Sequence, residues 1–203
     1  MKHAQLFDAA ERIILLTLYF FLLARVMIGF AAHANLISLL LVLSEGFVVV
    51  FVLLRRSTQN ISQKPRDWLM ALGGTVAPLL VDTSEGGVLA PIGFLIVMML
   101  AGIFLQLAAK LTLGRRFGVV PANRGVTVAG PYRLLRHPMY AGYLLTHIAY
   151  FLGHASLWNA AIYLVEAAFQ IARIKAEEAL LAEDAGYRSF RDRVRYRLLP
   201  GVF

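Results

Sequence analysis

Glu166, Gln170, Arg173 and Glu177 follow one another at spacings of 4, 3 and 4 in an otherwise apolar segment. On a helix this places all four on one face, with Glu178 about 100° further round. A second group stands upstream in GPYRLLRHPMYAGY, residues 130–143, where Arg133, Arg136 and His137 precede Pro138. Proline at a first helical position lacks an N–H where none is needed, so the free N–H groups of residues 139–141 point back toward the loop. With three basic side chains beside them, this helix start favours a carboxylate or phosphate. Gly142 admits close approach of a backbone or ligand, and Tyr132 and Tyr140 can stack or hydrogen-bond. Each group also has a plain structural reading. The stripe fits an amphipathic helix end with an Arg173–Glu177 pair, and the basic cluster fits a topological anchor before a Pro-started helix.

The elements that carry these groups belong in a bilayer. Of 203 residues, 59% are hydrophobic and 16% charged, and the mean hydropathy is +0.68. A soluble domain of this length needs a more polar surface. The net charge of +8 would suggest nucleic acid on a soluble chain, but here the basic residues lie mostly between apolar runs, which indicates membrane topology. No cysteine is present, which excludes disulfides, thiolate catalysis and Cys-ligated zinc. The histidines show no metal-ligand spacing, so neither a metal nor a nucleic-acid partner is expected.

Apolar segments cover 12–32, 35–54, 68–82, 88–110, 138–154 and 157–176. A crossing helix needs about 20 residues, so the third and fifth are short. Pro78 is expected to kink the third, and Pro91 is tolerated at the start of the fourth. Basic loops at 55–67 and 110–137 and a basic C-terminal tail alternate with turns that carry no basic residue except His33 and His154. Six crossings with both termini cytoplasmic satisfy this pattern; five fit if the last two segments form a hairpin that does not span. Ala32-His33-Ala34 looks like a signal-cleavage site, but the preceding apolar stretch is too long for a signal, and a retained first helix is expected. Arg25 and Glu45 are placed to pair between the first two helices, and His147 and His154 read as packing residues. The expected fold is all-α, a polytopic membrane protein of five to six transmembrane helices. Residues 1–109 form N-terminal helices and 110–203 a C-terminal half that holds most of the polar features.

Three motifs in order then carry a resemblance. GPYRLLRHPMYAGY resembles the G-P-Y-x-x-x-R-H-P-x-Y-x-G signature of the isoprenylcysteine carboxyl methyltransferase family and of related phospholipid methyltransferases. RIKAEEALL supplies the downstream Arg with its Glu pair, and YRSFRDRVRYRLLP is similar to the family's ending, with Phe190 in place of a Tyr. AEDAGYRSF is about two residues shorter than the family's usual stretch, and FGVVPAN lacks a clear match to its polar residue. The resemblance implies an enzyme using S-adenosylmethionine in a membrane-embedded pocket of the C-terminal half, in keeping with the absence of a dinucleotide-binding glycine motif. Carried over by motif, it implies cofactor contacts from Arg124, Gly125, Val126, Thr127, Tyr132, His137, Pro138, Met139, Tyr140 and Glu177. Arg173 would face the methyl acceptor.

Methyl transfer from a sulfonium is an in-line displacement that depends on alignment. A carboxylate acceptor, as on an isoprenylcysteine, needs no base. A phospholipid amine must lose a proton, for which Glu178 or His137 is placed. A lipophilic acceptor reaches such a site laterally between helices, and the setting expected is a bacterial inner membrane. Two other readings stand beside this one. A membrane reductase of the sterol-reductase type would use its arginines on NADPH phosphates. A transporter or scaffold would show inverted internal symmetry, which the sequence lacks.

Overall fold

The computed structural model describes residues 2–32, 36–82 and 86–201. The side chains of Arg25 and Glu45, with the pairing expected of them, lie outside the described residues. Seven helices are described, α1 (Lys2–Ala32), α2 (Leu36–Leu54), α3 (Pro65–Val76), α4 (Ile92–Leu113), α5 (Pro138–Gly153), α6 (Leu157–Leu181) and α7 (Ala185–Arg193). Strand pairing among the described residues is limited to two isolated bridges, Ile61–Ala122 and Gly87–Ala155. The fold is all-helical.

Local chemistry sets the ends. Pro138 opens α5 at its first position, and Pro65 does the same for α3, where φ is already helical and no N–H is missed. The Ser156 side chain accepts from Asn159 N at 3.1 Å to cap α6. Asp184 caps α7 through Gly186 N at 2.7 Å and Tyr187 N at 3.2 Å, as short acceptor side chains do for orphan N–H groups. Pro78 ends α3 rather than kinking it, and the chain tightens into a 3-10 turn over Ala77–Leu80.

Two sets of non-local bonds define the ends of the bundle. At one end, Arg56 N donates to Arg115 O, Ser62 N to Pro121 O, and Arg136 N to Tyr196 O. This draws both basic loops and the basic tail together. At the other end, Asn159 donates to Asp82 O at 2.8 Å and to His154 O at 2.7 Å, and accepts from Asp82 N. Thus α1, α3 and α5 lead away from the basic end, and α2, α4 and α6 return to it. With its 3-10 turn α3 is about 26 Å long and α5 about 24 Å, against about 30 Å of hydrocarbon. Among the described residues, one helix is long and apolar enough to cross a membrane, Ile92–Arg116, with a mean hydropathy of 2.4 over its most apolar 18 residues.

Large apolar side chains cover the outer surface, around an apolar core that also holds charged groups. Phe20, Phe21, Ile92, Val97 and Leu164 are exposed, whereas Glu11, Lys110, Glu166 and Arg173 are buried. Lys110, which the sequence places among the loop charges, sits in the last turn of α4 with its ammonium 5.6 Å from the centroid of the Tyr143 ring. Two glycines bring α4 and α5 together. A Cβ on Gly142 would stand 2.8 Å from Gly102 O and 2.9 Å from Gln106 N. The close approach that Gly142 permits is therefore with the backbone of α4. Gln106 Nε2 donates to Thr146 Oγ1 at 3.1 Å across the same interface.

Candidate active site

Between α4 and α5 the chain crosses the basic end of the bundle as an irregular strap, interrupted by a 3-10 turn over Gly130–Arg133. The ends of α6 and α7 pack against it. Strap and helix ends enclose a cleft with about 770 Å³ of empty space, its open mouth included. Arg124, Gly125, Val126 and Thr127 line it from the strap, with Tyr132, His137, Met139 and Tyr140 from the 3-10 turn and the start of α5. Glu177 faces it from α6. Pro138 does not line the cleft; it is buried as the first residue of α5. Arg116, Val119, Val120, Arg136, Tyr187 and Phe190 are among the other lining residues.

The lining offers both signs of charge and apolar surface. Glu177 is half-buried and supplies the one carboxylate among the described lining residues. It accepts from Tyr140 Oη at 3.3 Å. Arg116 donates to Thr127 Oγ1 at 3.2 Å, and its buried Nε meets no hydrogen-bond partner among the described residues. That N–H passes Gly125, whose φ of +98° favours glycine and where a Cβ would stand 3.3 Å from Arg116 Nε. Burial, reinforced by the negative charge of Glu177, pushes the Tyr132 hydroxyl up, so it stays neutral and able to donate.

Arg124 lines the cleft, but its charge is engaged elsewhere. Its guanidinium donates to Asp8 Oδ1 at 2.8 Å and Glu11 Oε2 at 2.7 Å. Arg55 meets the same two acids at 3.1 and 2.8 Å. Sequence reasoning did not single out Asp8, Glu11 and Arg55 as a group. The available signal was a pair of acids three residues apart, on one helix face, at the head of an apolar run. Asn123 was missed too. Its side chain donates to Asp184 Oδ2 at 2.9 Å and accepts from Gly125 N at 2.9 Å, tying the strap to α7. The Asn123 amide, with the N–H groups of Tyr187 and Gly186, holds the Asp184 carboxyl below the usual carboxylate range. Tyr187 and Phe190 are buried from α7, so the shortened C-terminal stretch still docks that helix.

Neither Arg173 nor Glu178 lines the cleft. Arg173 is buried one turn before Glu177 in α6, its guanidinium carbon 5.0 Å from the centroid of the Tyr140 ring. Glu178 collects three basic groups. Its Oε1 lies 3.2 Å from His137 Nε2 and 3.1 Å from Arg136 Nε, and Arg197 holds Oε2 through two contacts of 2.8 Å. The RHP segment and the C-terminal tail are thereby fixed to α6, and His137 N also donates to Arg197 O at 3.0 Å. The rest of the stripe is shared with α5. His147 Nδ1 lies 3.3 Å from Glu166 Oε2, and Gln170 donates to Glu166 Oε1 at 2.8 Å.

Burial pushes the Glu178 carboxyl up, but the hydrogen bonds from His137 and Arg197 and the charges of His137 and Arg136 outweigh it and hold it down to about 2. Residue 178 lies beyond the apolar segment 157–176, at the basic end. A folded-state value below the unfolded one stabilises the fold above the unfolded pKa, and this contribution is lost as pH falls through the folded value. Thermal stability in detergent is therefore expected to decline from about pH 4.5 toward pH 2, with a weaker decline in Glu178→Gln. A Glu178→Gln melting profile parallel to the wild type over that range would assign the acid sensitivity elsewhere.

A protein-family model described as phospholipid methyltransferase matches residues 85–186, from the segment before α4 to the first turn of α7. No curated protein matches the chain.

Proposed function

The chain belongs to the phospholipid methyltransferase family, and from that premise we propose that it moves a methyl group from S-adenosylmethionine to a lipophilic acceptor at the cleft of the basic end. As a member it is a methyltransferase acting on lipid-like substrates. The observation that carries the finer reading is the convergence of nine of the ten residues implied by motif on one cleft. The wall fits an amino acid tail joined to a nucleoside. Glu177 suits an ammonium, Arg116 Nε and the start of α5 suit a carboxylate, and the Tyr132, Tyr187 and Phe190 rings suit a base or ribose.

Bound there, S-adenosylmethionine would supply an activated methyl group on a cationic sulfur. The protein's own part is alignment and exclusion of water. Glu178 is engaged by three basic groups and titrates near 2, too low for a general base at neutral pH, so it acts as a positioning residue for His137. Arg173 lies behind the cleft wall, buried against Tyr140, and would reach an acceptor only once that ring moves aside. A cation without a matched base suits an acceptor carboxylate of the isoprenylcysteine kind. The family description favours a phospholipid amine instead, and both acceptors belong in the assay. Alternating helix directions, apolar outer faces and basic loops at one end support a bilayer setting of up to six crossings with both termini cytoplasmic, as in a bacterial inner membrane.

Calorimetric titration of the detergent-solubilised protein with S-adenosylmethionine and with NADPH tests the reading. Saturable binding of the first is expected, weakened about 10- to 100-fold by Glu177→Ala through loss of a charged hydrogen bond. Binding of NADPH alone would make the cleft a reductase site.

A further inference from the structure

We infer that Glu11, in a helix outside the family match, is the positioning residue that sets the strap wall of the cofactor cleft. The inference rests on the function proposed above. Glu11 is 1% exposed, and each of its oxygens is committed. Oε1 accepts from Val119 N at 2.7 Å and Val120 N at 2.9 Å. Oε2 accepts from Arg55 at 2.8 Å and Arg124 at 2.7 Å. Val119, Val120 and Arg124 all line the cleft, so one carboxylate fixes the strap at three places.

The later part of the strap is held by the 58–62 loop, through Ser62 N to Pro121 O, Asn123 N to Asn60 O and Thr58 Oγ1 to Asn123 O. Residues 117–120 before it form neither helix nor strand ladder, and such a segment takes its shape from the groups that satisfy its backbone. Glu11 satisfies two adjacent N–H groups from 108 and 109 residues away. Charge keeps it in place. Asp8 and Glu11 face Arg55 and Arg124, two acids against two bases, all buried, and removing one member of such a set leaves charge uncompensated. Packing gives a second, independent sign. A Cβ on Gly118 would collide with Arg124 Nη1 and stand 3.3 Å from Glu11 Oε1, so the strap lies directly on the cluster. Glu11 touches neither cofactor nor acceptor; it acts through the wall.

The test uses the full chain in detergent as wild type, Glu11→Ala, Glu11→Gln and Gly73→Ala. Gly73 packs on the Phe169 ring between α3 and α6, outside the cleft lining, so Gly73→Ala reports a purely structural loss. Amide exchange of residues 117–127 and the dissociation constant for S-adenosylmethionine are measured, with steady-state KM for cofactor and acceptor. In Glu11→Ala, exchange at Val119 and Val120 is expected to quicken at least tenfold, with cofactor affinity falling about tenfold and acceptor KM at saturating cofactor unchanged. Gly73→Ala should lower the melting temperature alone. If Glu11→Ala does not fold, Glu11→Gln, which keeps the length and removes the charge, is expected to move the same readouts less far. Wild-type exchange at Val119 and Val120 in a folded Glu11 variant would overturn the inference, as would wild-type cofactor affinity. If the wild type itself does not bind S-adenosylmethionine, the proposed function fails, and the exchange result alone decides whether Glu11 sets the wall.

Discussion

Glu178→Ala is expected to lower the free energy of unfolding by about 3 kcal/mol, the lower end of what removing one partner from a buried ion pair costs. The substitution leaves Arg136, His137 and Arg197 facing one another where a single carboxylate now accepts hydrogen bonds from His137 and Arg197 and pairs with Arg136 by charge. Arg136 and His137 are buried along the cleft wall and reach water only through its mouth, whereas the Arg197 side chain is one-third exposed and turns out directly. That partial escape sets the figure at the lower end. Thermal melting of helicity in detergent measures it. Glu178→Gln keeps one acceptor oxygen and should cost less. Because the backbone bonds from Arg136 and His137 to the tail remain, the helices should persist while cofactor affinity falls through a misplaced His137. An alanine variant as stable as the wild type would mean that the three basic groups are neutralised by solvent, and that Glu178 does not order the start of α5.

Gly142→Leu is expected to cost about 3 kcal/mol, at the upper end of overpacking, and to weaken cofactor binding as well. The atoms that a Cβ would meet include Gly102 O at 2.8 Å and Gln106 N at 2.9 Å. Both are backbone of α4 and cannot rotate away, so the helices must separate. Separation would also strain the Gln106–Thr146 bond across the interface. It would carry Met139 and Tyr140, one turn away on α5, out of the cleft wall. Close helix contact through small residues is the device by which helices associate without water to drive them together. Melting and calorimetric titration of one preparation read both effects. Gly142→Ala should show the same directions with smaller size. A leucine variant that melts as the wild type does would show that α4 and α5 can part at this crossing without loss.

The sequence by itself determined what depends on neighbours along the chain. Pro65, Pro138, Ser156 and Asp184 fix helix starts through their own φ angle or side-chain oxygen, yet apolarity alone misplaces some ends: the run at 12–32 begins inside α1 and the run at 68–82 outlasts α3. The 4, 3, 4 spacing places Glu166, Gln170, Arg173 and Glu177 on one face by helical geometry alone. The motif resemblance named nine of the cleft's lining residues, while Arg116, Val119, Val120, Tyr187 and Phe190 are brought there by the fold. Only the tertiary structure decided what each charge faces. Arg124 reads as a ligand contact from its motif, yet its guanidinium meets Asp8 and Glu11, 116 and 113 residues away. Lys110 reads as a loop cation and is buried against Tyr143. Glu178 reads as a candidate base and is an anchor for three basic groups. Partners so far apart have no fixed spacing, and a buried charge is defined by whatever the folded chain brings within hydrogen-bond reach. Hence residue types and helix faces are set along the chain, while the state of each ionised group is set across it.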